Sequence, residues 1–413
     1  MSQSFLDTNW VSMRILWFLQ NALEVASVFN TEWESEFGKA FPVGSSVQVK
    51  LPQRWLVTNG LGYQPQGIAR LATTINLDQV FGIHFEWDSY ERLVKMERSQ
   101  EELEENYLFP AARQLAQETD SRAASWATLN TNNVVGTLGT DSTTLAPFAA
   151  AERLLYQKAC PKGIRHLCLS PSLMQSYVQT NVTQFNPAPE ISRMFRTGVI
   201  GTAAGWEWYR SNSLFSQTVG TAPTGGVTVN GAGQSGSSLV VTGTASQTIN
   251  PGDKFNIALV NSVNPTTRRN SGNMGLQTFV YTGSTPFVLT GGADTIPISP
   301  AIFGPGSQYQ NVSALPANSA ALTFWPGTSS PSGATGTVSL GLSKFAFAIS
   351  GGKLEVPKAV ERAEQTEDPD TGMTVRFVRA WDQRESKMTN RFDMCLGFGN
   401  LYPDNGAVAI AGA

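Results

Sequence analysis

A chain of 413 residues, 41% hydrophobic and 15% charged, has room for two or three domains with sizeable cores, and its charged share is low against the ~25% usual in soluble domains. A formal net charge of −3 supplies no global basic field for nucleic acid or an anionic membrane. Cys160, Cys168 and Cys395 form no C-x-x-C, which argues against a disulfide framework, and the apolar run Trp10–Phe29 is broken by Arg14, Gln20, Asn21 and Glu24, so it reads neither as a membrane span nor as an export signal.

Residues 1–36 read as one amphipathic helix and a linker. Asp7 or Thr8 can cap the helix, and Val11, Ile15, Phe18, Leu19, Ala22, Leu23 and Ala26 recur at helical spacing. Such a face packs on its own domain in most proteins; an arm laid on a neighbouring subunit is the functional alternative. Over residues 37–95 the period becomes two. Val47, Val49 and Leu51 alternate with polar residues, as do Thr74–Leu77 and Val80–Trp87. Between them Asn59–Arg70, rich in Gly and Gln, reads as the irregular tip of a long hairpin. Exposed hairpin edges invite aggregation unless neighbours cover them.

Residues 99–130 carry the clearest helix. Ser99 and Glu102 make a capping box, and Glu101, Glu102, Glu104 and Glu105 lie where the helix dipole favours anions. This acidic cluster either complements the dipole or docks a basic partner. Leu103, Tyr107, Ala111, Leu115, Arg122 and Trp126 trace a face, and Pro110 should kink or split the helix.

Residues 136–215 mix a helix at Phe148–Gln157 with a buried strand at His166–Leu169. Residues 216–345 differ. From Ser211 to Ser350 the charged residues are Asp253, Lys254, Arg268, Arg269, Asp294 and Lys344. Short Val, Ile, Phe and Thr runs punctuated by Pro, Gly, Asn and Ser over Asn250–Phe324 predict a small β-barrel or sandwich. Its leading part, Gly220–Ser238, is close to low complexity and reads as a mobile linker. Beyond residue 345, Lys353–Val356, Met373–Trp381 and Arg391–Phe398 read as strands that complete the α/β domain the insert interrupts.

Catalytic chemistry finds little support. His84, Glu86 and Asp88 share one face of a predicted strand, yet no second histidine lies nearby, and the solvent face of a hairpin looks the same. With His166 the only other histidine, Ser-His or Cys-His catalysis has little room. Gly231, Gly233 and Gly236 match G-x-G-x-x-G, with Asp253 near the ribose offset, but the residues that follow read as a strand and offer no helix N-terminus to a pyrophosphate. Glu364, Glu367, Asp368 and Asp370 lack a calcium-loop pattern and fit a turn. No catalytic, cofactor or metal residue is assigned.

Contacts between subunits have better candidates. Arg268 and Arg269 centre a polar loop with few internal partners, and paired guanidinium groups suit a neighbour's carboxylates. Asp253 and Lys254, Tyr63 and Arg70 in the hairpin tip, and Glu101, Glu102 and Glu105 complete the candidate interface set.

The order of these parts resembles the α+β Hong Kong 97 fold of tailed-phage and herpesvirus shells. The resemblance is nearest to the coat-protein family of short-tailed enterobacterial phages with an inserted all-β barrel domain. It is carried by FPVGSSVQVKLPQRW, SQEELEENYLFPAARQLAQ, NPGDKFNIALVNSVNPTTRRNSG, YQNVSALPAN, MTVRFVRAWD and NRFDMCLGFGNLYP. It implies an N-terminal arm (1–36), an extended loop (37–95), a spine helix with the peripheral domain (96–135), a central domain in two halves (136–215 and 346–413) and the barrel (216–345). It also implies hexamers and pentamers in an icosahedral shell, built around a scaffolding protein in the host bacterial cytoplasm. The shell is filled with double-stranded DNA through a portal, without sequence-specific recognition or membrane contact, and can take a decoration protein. In that family the barrel stabilises the subunit and a polar loop on it bridges capsomers; the loop of Arg268 and Arg269 occupies the matching place. Asn59–Arg70 holds no lysine for the covalent crosslink some relatives form. An encapsulin-like cargo shell and a β-rich adhesin are the alternatives.

Overall fold

The computed structural model describes residues 13–19, 23–32, 46–57, 60, 65–68, 70–88, 104–181, 201–270, 274–325, 332–358, 360–368 and 372–412. Before the insert lie β1 (Ser46–Lys50), β2 (Ala72–Asp88), α1 (Phe109–Asn130), β3 (Val134–Gly136), α2 (Ala146–Gln157), β4 (Arg165–Leu169), α3 (Pro171–Asn181), β5 (Thr202–Ala203), β6 (Trp206–Arg210) and β7 (Ser216–Thr218). The insert holds β8 (Thr228–Val229), β9 (Gly236–Thr242), β10 (Thr248–Ile249), β11 (Lys254–Asn261), β12 (Leu276–Tyr281), β13 (Phe287–Val288), β14 (Asp294–Ile302) and β15 (Leu322–Phe324). After it come β16 (Thr335–Ser343), β17 (Phe347–Gly351), β18 (Arg362–Glu367), β19 (Thr374–Asp382), β20 (Lys387–Asn400) and β21 (Ala407–Ala411). Two compact units form: residues 1–50, 72–123 and 347–400, and residues 51–71, 124–346 and 401–413.

The first unit is built on an antiparallel sheet ordered β1-β2-β20-β19-β18, with β17 also on β20. Alternation along β1 and β19 buries Val49, Val375 and Phe377, while β20 buries Phe392, Met394, Leu396 and Phe398. Phe29 stacks on Phe347 at 5.5 Å, and Asn30 bridges Ala348. Asp120 of α1 accepts the Glu24 and Ala26 amides at 2.8 Å each. The described N-terminal residues are therefore packed within their own unit.

Helix α1 departs from the pattern read from its large side chains. A π-helical turn, Glu104–Leu108, precedes it, and Pro110 sits in its first turn, where a missing N–H leaves nothing unpaired. The buried stripe is Leu108, Ala112, Leu115, Ala116, Thr119, Ala123 and Ala127, whereas Tyr107 is exposed. Small alanines mark the face that packs closely, and the bulkier Arg122 and Trp126 lie off it.

The second unit holds a mixed sheet ordered β3-β21-β16-β4-β6-β5. Helices α2 and α3 cover it through Phe148, Leu155 and Leu173, against Leu167, Trp206 and Ile410. Strand β7 pairs with the start of β16, Thr335↔Thr218 to Thr337↔Ser216, before β16 runs on between β21 and β4. The chain thus enters and leaves the insert on two adjacent antiparallel strands.

The insert is a closed barrel. Its sheet order is β15-β11-β12-β14-β9-β8. Strand β8 meets β15 again through the Thr228↔Ala321 bridge, with Val229 N donating to Ala320 O and Leu322 N to Val227 O, both at 2.9 Å. Inward residues Val241, Phe255, Phe279, Ile296 and Phe324 fill it, and the same apolar cluster runs on to Val338 and Ala411 of the central sheet.

Three expectations need correction. Gly220–Ser238 is no linker: Ala222, Val227 and Val229 are core residues, and Gly226, Gly231 and Gly233 take positive φ in the turns. Residues 347–400 do not complete the central domain, because β18, β19 and β20 hydrogen-bond into the sheet of β1 and β2. Residues 401–412 alone return to the central sheet, and Lys353–Val356 forms no strand.

Candidate assembly interface

Among the described residues no group of three or more His, Cys, Asp or Glu side chains could hold a metal ion. His84 and Glu86 are exposed on β2, and Glu86 pairs with Lys387 at 2.7 Å. The hollow there, about 450 Å³, is an open depression lined in part by His84, Glu86, Asn390 and Arg391. Burial lowers the pKa of His166, against the opposing charge of Glu207. The G-x-G-x-x-G run leads into β9, and Gln234 occupies its loop, donating to Asn230 O at 2.7 Å and accepting Val240 N at 2.6 Å.

The proposed interface set divides. Tyr63, Glu101 and Glu102 lie outside the described residues, as do Ser99 and the side chain of Glu105. Arg70 and Arg269 are exposed. Arg268 is half-buried: its Nη2 donates to Trp55 O at 2.7 Å and to Gln308 O at 3.3 Å. The loop is built by Asn264, whose Oδ1 accepts the Thr266 and Thr267 amides at 2.9 and 3.1 Å while its carbonyl accepts Arg268 N at 2.7 Å. That turn places Arg268 at φ +56°.

Asp253 and Lys254 are corrected outright. Both are fully buried and offer no charge to a neighbour. Asp253 Oδ2 accepts the Gly220 and Asn250 amides at 3.0 and 2.8 Å. Lys254 Nζ donates to Thr128 O and Gly252 O at 3.0 Å each and lies 4.5 Å from the Trp325 ring centre. Thr128 belongs to the last turn of α1, so a barrel lysine satisfies a carbonyl the helix cannot. Gly252 is required beside it: at φ +80°, a Cβ would fall 2.7 Å from Leu129 Cδ2. Burial raises Asp253 to about 6 and lowers Lys254 to about 7, each partly offset by the other's charge.

A second buried joint had no signal in the sequence. Lys158, following α2, donates to Asp404 Oδ1 at 2.6 Å and to Asn133 Oδ1 at 2.7 Å. Asn132 and Gln277 donate to the same Asp404 oxygen at 2.6 and 3.1 Å. Burial works to raise Asp404, but Lys158 and these donors together hold it below the ordinary carboxylate value. Barrel strand β12, the end of α2 and the C-terminal segment thus share one carboxylate. In the first unit, buried Asp393 is held between Arg376, at 2.6 Å, and Arg391, at 2.5 Å.

Among the described residues flanking the hairpin tip, three large hydrophobics are exposed. Trp55, Val57 and Ile68 are 57%, 93% and 76% exposed. Scattered exposed hydrophobics are ordinary, but three large ones within fourteen residues of one hairpin are more than that background.

Residues 44–412 match the family model described as P22 coat protein - gene protein 5. No curated protein gave a significant match. Among solved structures, the chain is similar to one from Mycobacterium phage Che8, at 12% identity over 95% of this chain and 92% of that one, with a TM-score of 0.47. The capsid of Cyanophage P-SCSP1u aligns at 13% identity over 91% and 85%, with a TM-score of 0.43. The capsid of Ralstonia phage GP4 aligns at 10% identity over 94% and 87%, with a TM-score of 0.41.

Proposed function

The chain belongs to the P22 coat protein family, and on that footing we propose how its surfaces serve a shell. It is the major capsid protein of a tailed phage, a structural subunit of the virion capsid with a Hong Kong 97-like fold and an inserted barrel, and it assembles with copies of itself. The carrying observation is the family match, which runs through hairpin, spine helix and barrel alike.

Subunits form hexamers and pentamers around an internal scaffolding protein in the host bacterial cytoplasm. Double-stranded DNA then enters through a portal and is enclosed without sequence readout; a net charge of −3 suits such a container. A decoration protein can join the outside. The subunit catalyses nothing: its work is repeated contact, and closed symmetry makes individually weak interfaces collectively slow to part. The exposed apolar tip and the exposed guanidinium groups of Arg70 and Arg269 support this reading. Glu101, Glu102, Glu105 and Tyr63 remain contact candidates from the sequence.

Expression of the full chain with and without a scaffolding partner, followed by sedimentation and electron microscopy, tests the proposal. Closed shells are expected with the partner. Dispersed monomers under every condition would overturn it. Arg269→Ala should leave the monomer folded and lower the yield of closed particles; normal particles at normal yield would remove Arg269 from the interface.

A further inference from the structure

Residues 51–71 group with the barrel and the central sheet in one compact unit. Polar contacts join the segment to the barrel. Arg268 Nη2 holds Trp55 O at 2.7 Å on one side of the hairpin tip. Gln308 Nε2, on the loop after β14, holds Gly67 O at 3.0 Å on the other. Arg268 also reaches Gln308 O, at 3.3 Å, so the two barrel residues brace each other. Across the tip, Gln53 Nε2 donates to Gly67 O at 3.0 Å, and Gln66 both accepts Leu56 N at 2.8 Å and donates to Leu56 O at 2.6 Å.

The barrel side of this contact is preorganised. The Asn264 turn sets the Arg268 backbone in the left-handed region, which an L side chain enters only when its surroundings impose it. Asn264 Nδ2 also donates to Gln157 O at 2.7 Å, tying the loop to the end of α2. The guanidinium is thus delivered from a loop fixed at two points, and a charged donor on a carbonyl is among the stronger hydrogen bonds. Arg269, one residue on, faces solvent instead.

We propose that Arg268 and Gln308 are positioning residues: a clasp by which the inserted barrel fixes the hairpin tip of its own subunit before that tip meets a neighbour. The adjacent arginines have split roles, Arg268 inward on the tip and Arg269 outward. The consequence for assembly rests on the function proposed above. A tip ordered in advance presents Trp55, Val57 and Ile68 in one arrangement, so docking need not order it. The clasp itself does not depend on assembly.

Hydrogen exchange of the unassembled full-length subunit, read by mass spectrometry, tests it. Arg268→Gly is the first variant, because glycine keeps the positive φ without strain while removing the guanidinium. Protection over residues 51–57 and 65–71 should fall about tenfold or more, the loss of one charge-assisted hydrogen bond, with β11, β12 and β14 unchanged. Arg269→Ala should match the wild type. Gln308→Ala, which leaves the Asn264 turn alone, should loosen the same residues and decides the matter if Arg268→Gly fails to fold. Unchanged tip exchange in a folded variant, or a wild-type tip already exchanging at free-chain rates, overturns the clasp. A subunit that shows the exchange difference but never forms shells supports the clasp and refutes the assembly reading instead.

Discussion

The inserted barrel and the hairpin are both antiparallel β-structure, and they treat their surfaces in opposite ways. The barrel closes on itself through the β8–β15 contact, fills its interior with Phe255, Phe279 and Phe324, and buries even its charged pair, Asp253 and Lys254. The hairpin's β1 stands at one end of its sheet, and beyond that strand the chain exposes Trp55, Val57 and Ile68. A closed barrel has no edge to offer. An open hairpin with apolar residues at its tip is unfinished until something covers it. On the function proposed above, one region completes the subunit, and the other completes the shell.

Disrupting the barrel interior should therefore cost the monomer most. Phe279→Ala should remove about 3–5 kcal/mol of subunit stability, the usual range for a core aromatic, measured by urea unfolding of the unassembled protein. A loss under about 1 kcal/mol would mean that the barrel core is not a stabilising element.

The joint at Lys158 comes next. Lys158→Met strands Asp404 among polar groups arranged for a charge pair and should cost about 3 kcal/mol. Adding Asp404→Leu to that variant should recover part of the loss. A double variant weaker than the single would contradict the view that the stranded carboxylate is the cost.

Asp120 gives a pH signature to the first unit. Burial lifts it from 3.8 to about 6, against the amides of Ala26 and Glu24 that pull it down. The folded state thus holds this proton more tightly than the unfolded one. Its contribution to stability rises as pH falls through about 6 toward 3.8 and is absent above that window, amounting at most to about 3 kcal/mol. The difference between wild type and Asp120→Asn, followed from pH 7 to pH 4 by denaturant titration, should show that gain in the wild type only. Parallel curves would refute it.

The smallest effect on the monomer should come from the hairpin. Val57→Ser with Ile68→Ser should stay within about 0.5 kcal/mol of wild type, as exposed substitutions do, yet reduce shell yield sharply. Altered monomer stability with normal shells would reverse the assignment of the two regions.

The sequence carried much of this contrast. Period-two runs and turn residues marked the barrel region, and β19 falls within a residue of the Met373–Trp381 run that alternation picks out. The failures are physical. Glycine-rich Gly220–Ser238 looked mobile because composition cannot tell a linker from a series of tight turns. Asp253 and Lys254 looked exposed because charge is a surface signal unless a partner is known, and two of their partners, Gly220 and Thr128, lie 33 and 126 positions away. The Lys158–Asp404 joint spans 246 positions, and no local pattern encodes such a meeting. Strands β19 and β20 were read as strands but given to the wrong sheet, since alternation fixes a face and not a partner.

A reconstruction of the assembled particle by cryo-electron microscopy tests the contrast most directly. Val57 and Ile68 should be buried against a neighbouring subunit, with the barrel interior unchanged from the isolated chain. A shell whose hairpin tips point into solvent, held together through opened barrels, would contradict it.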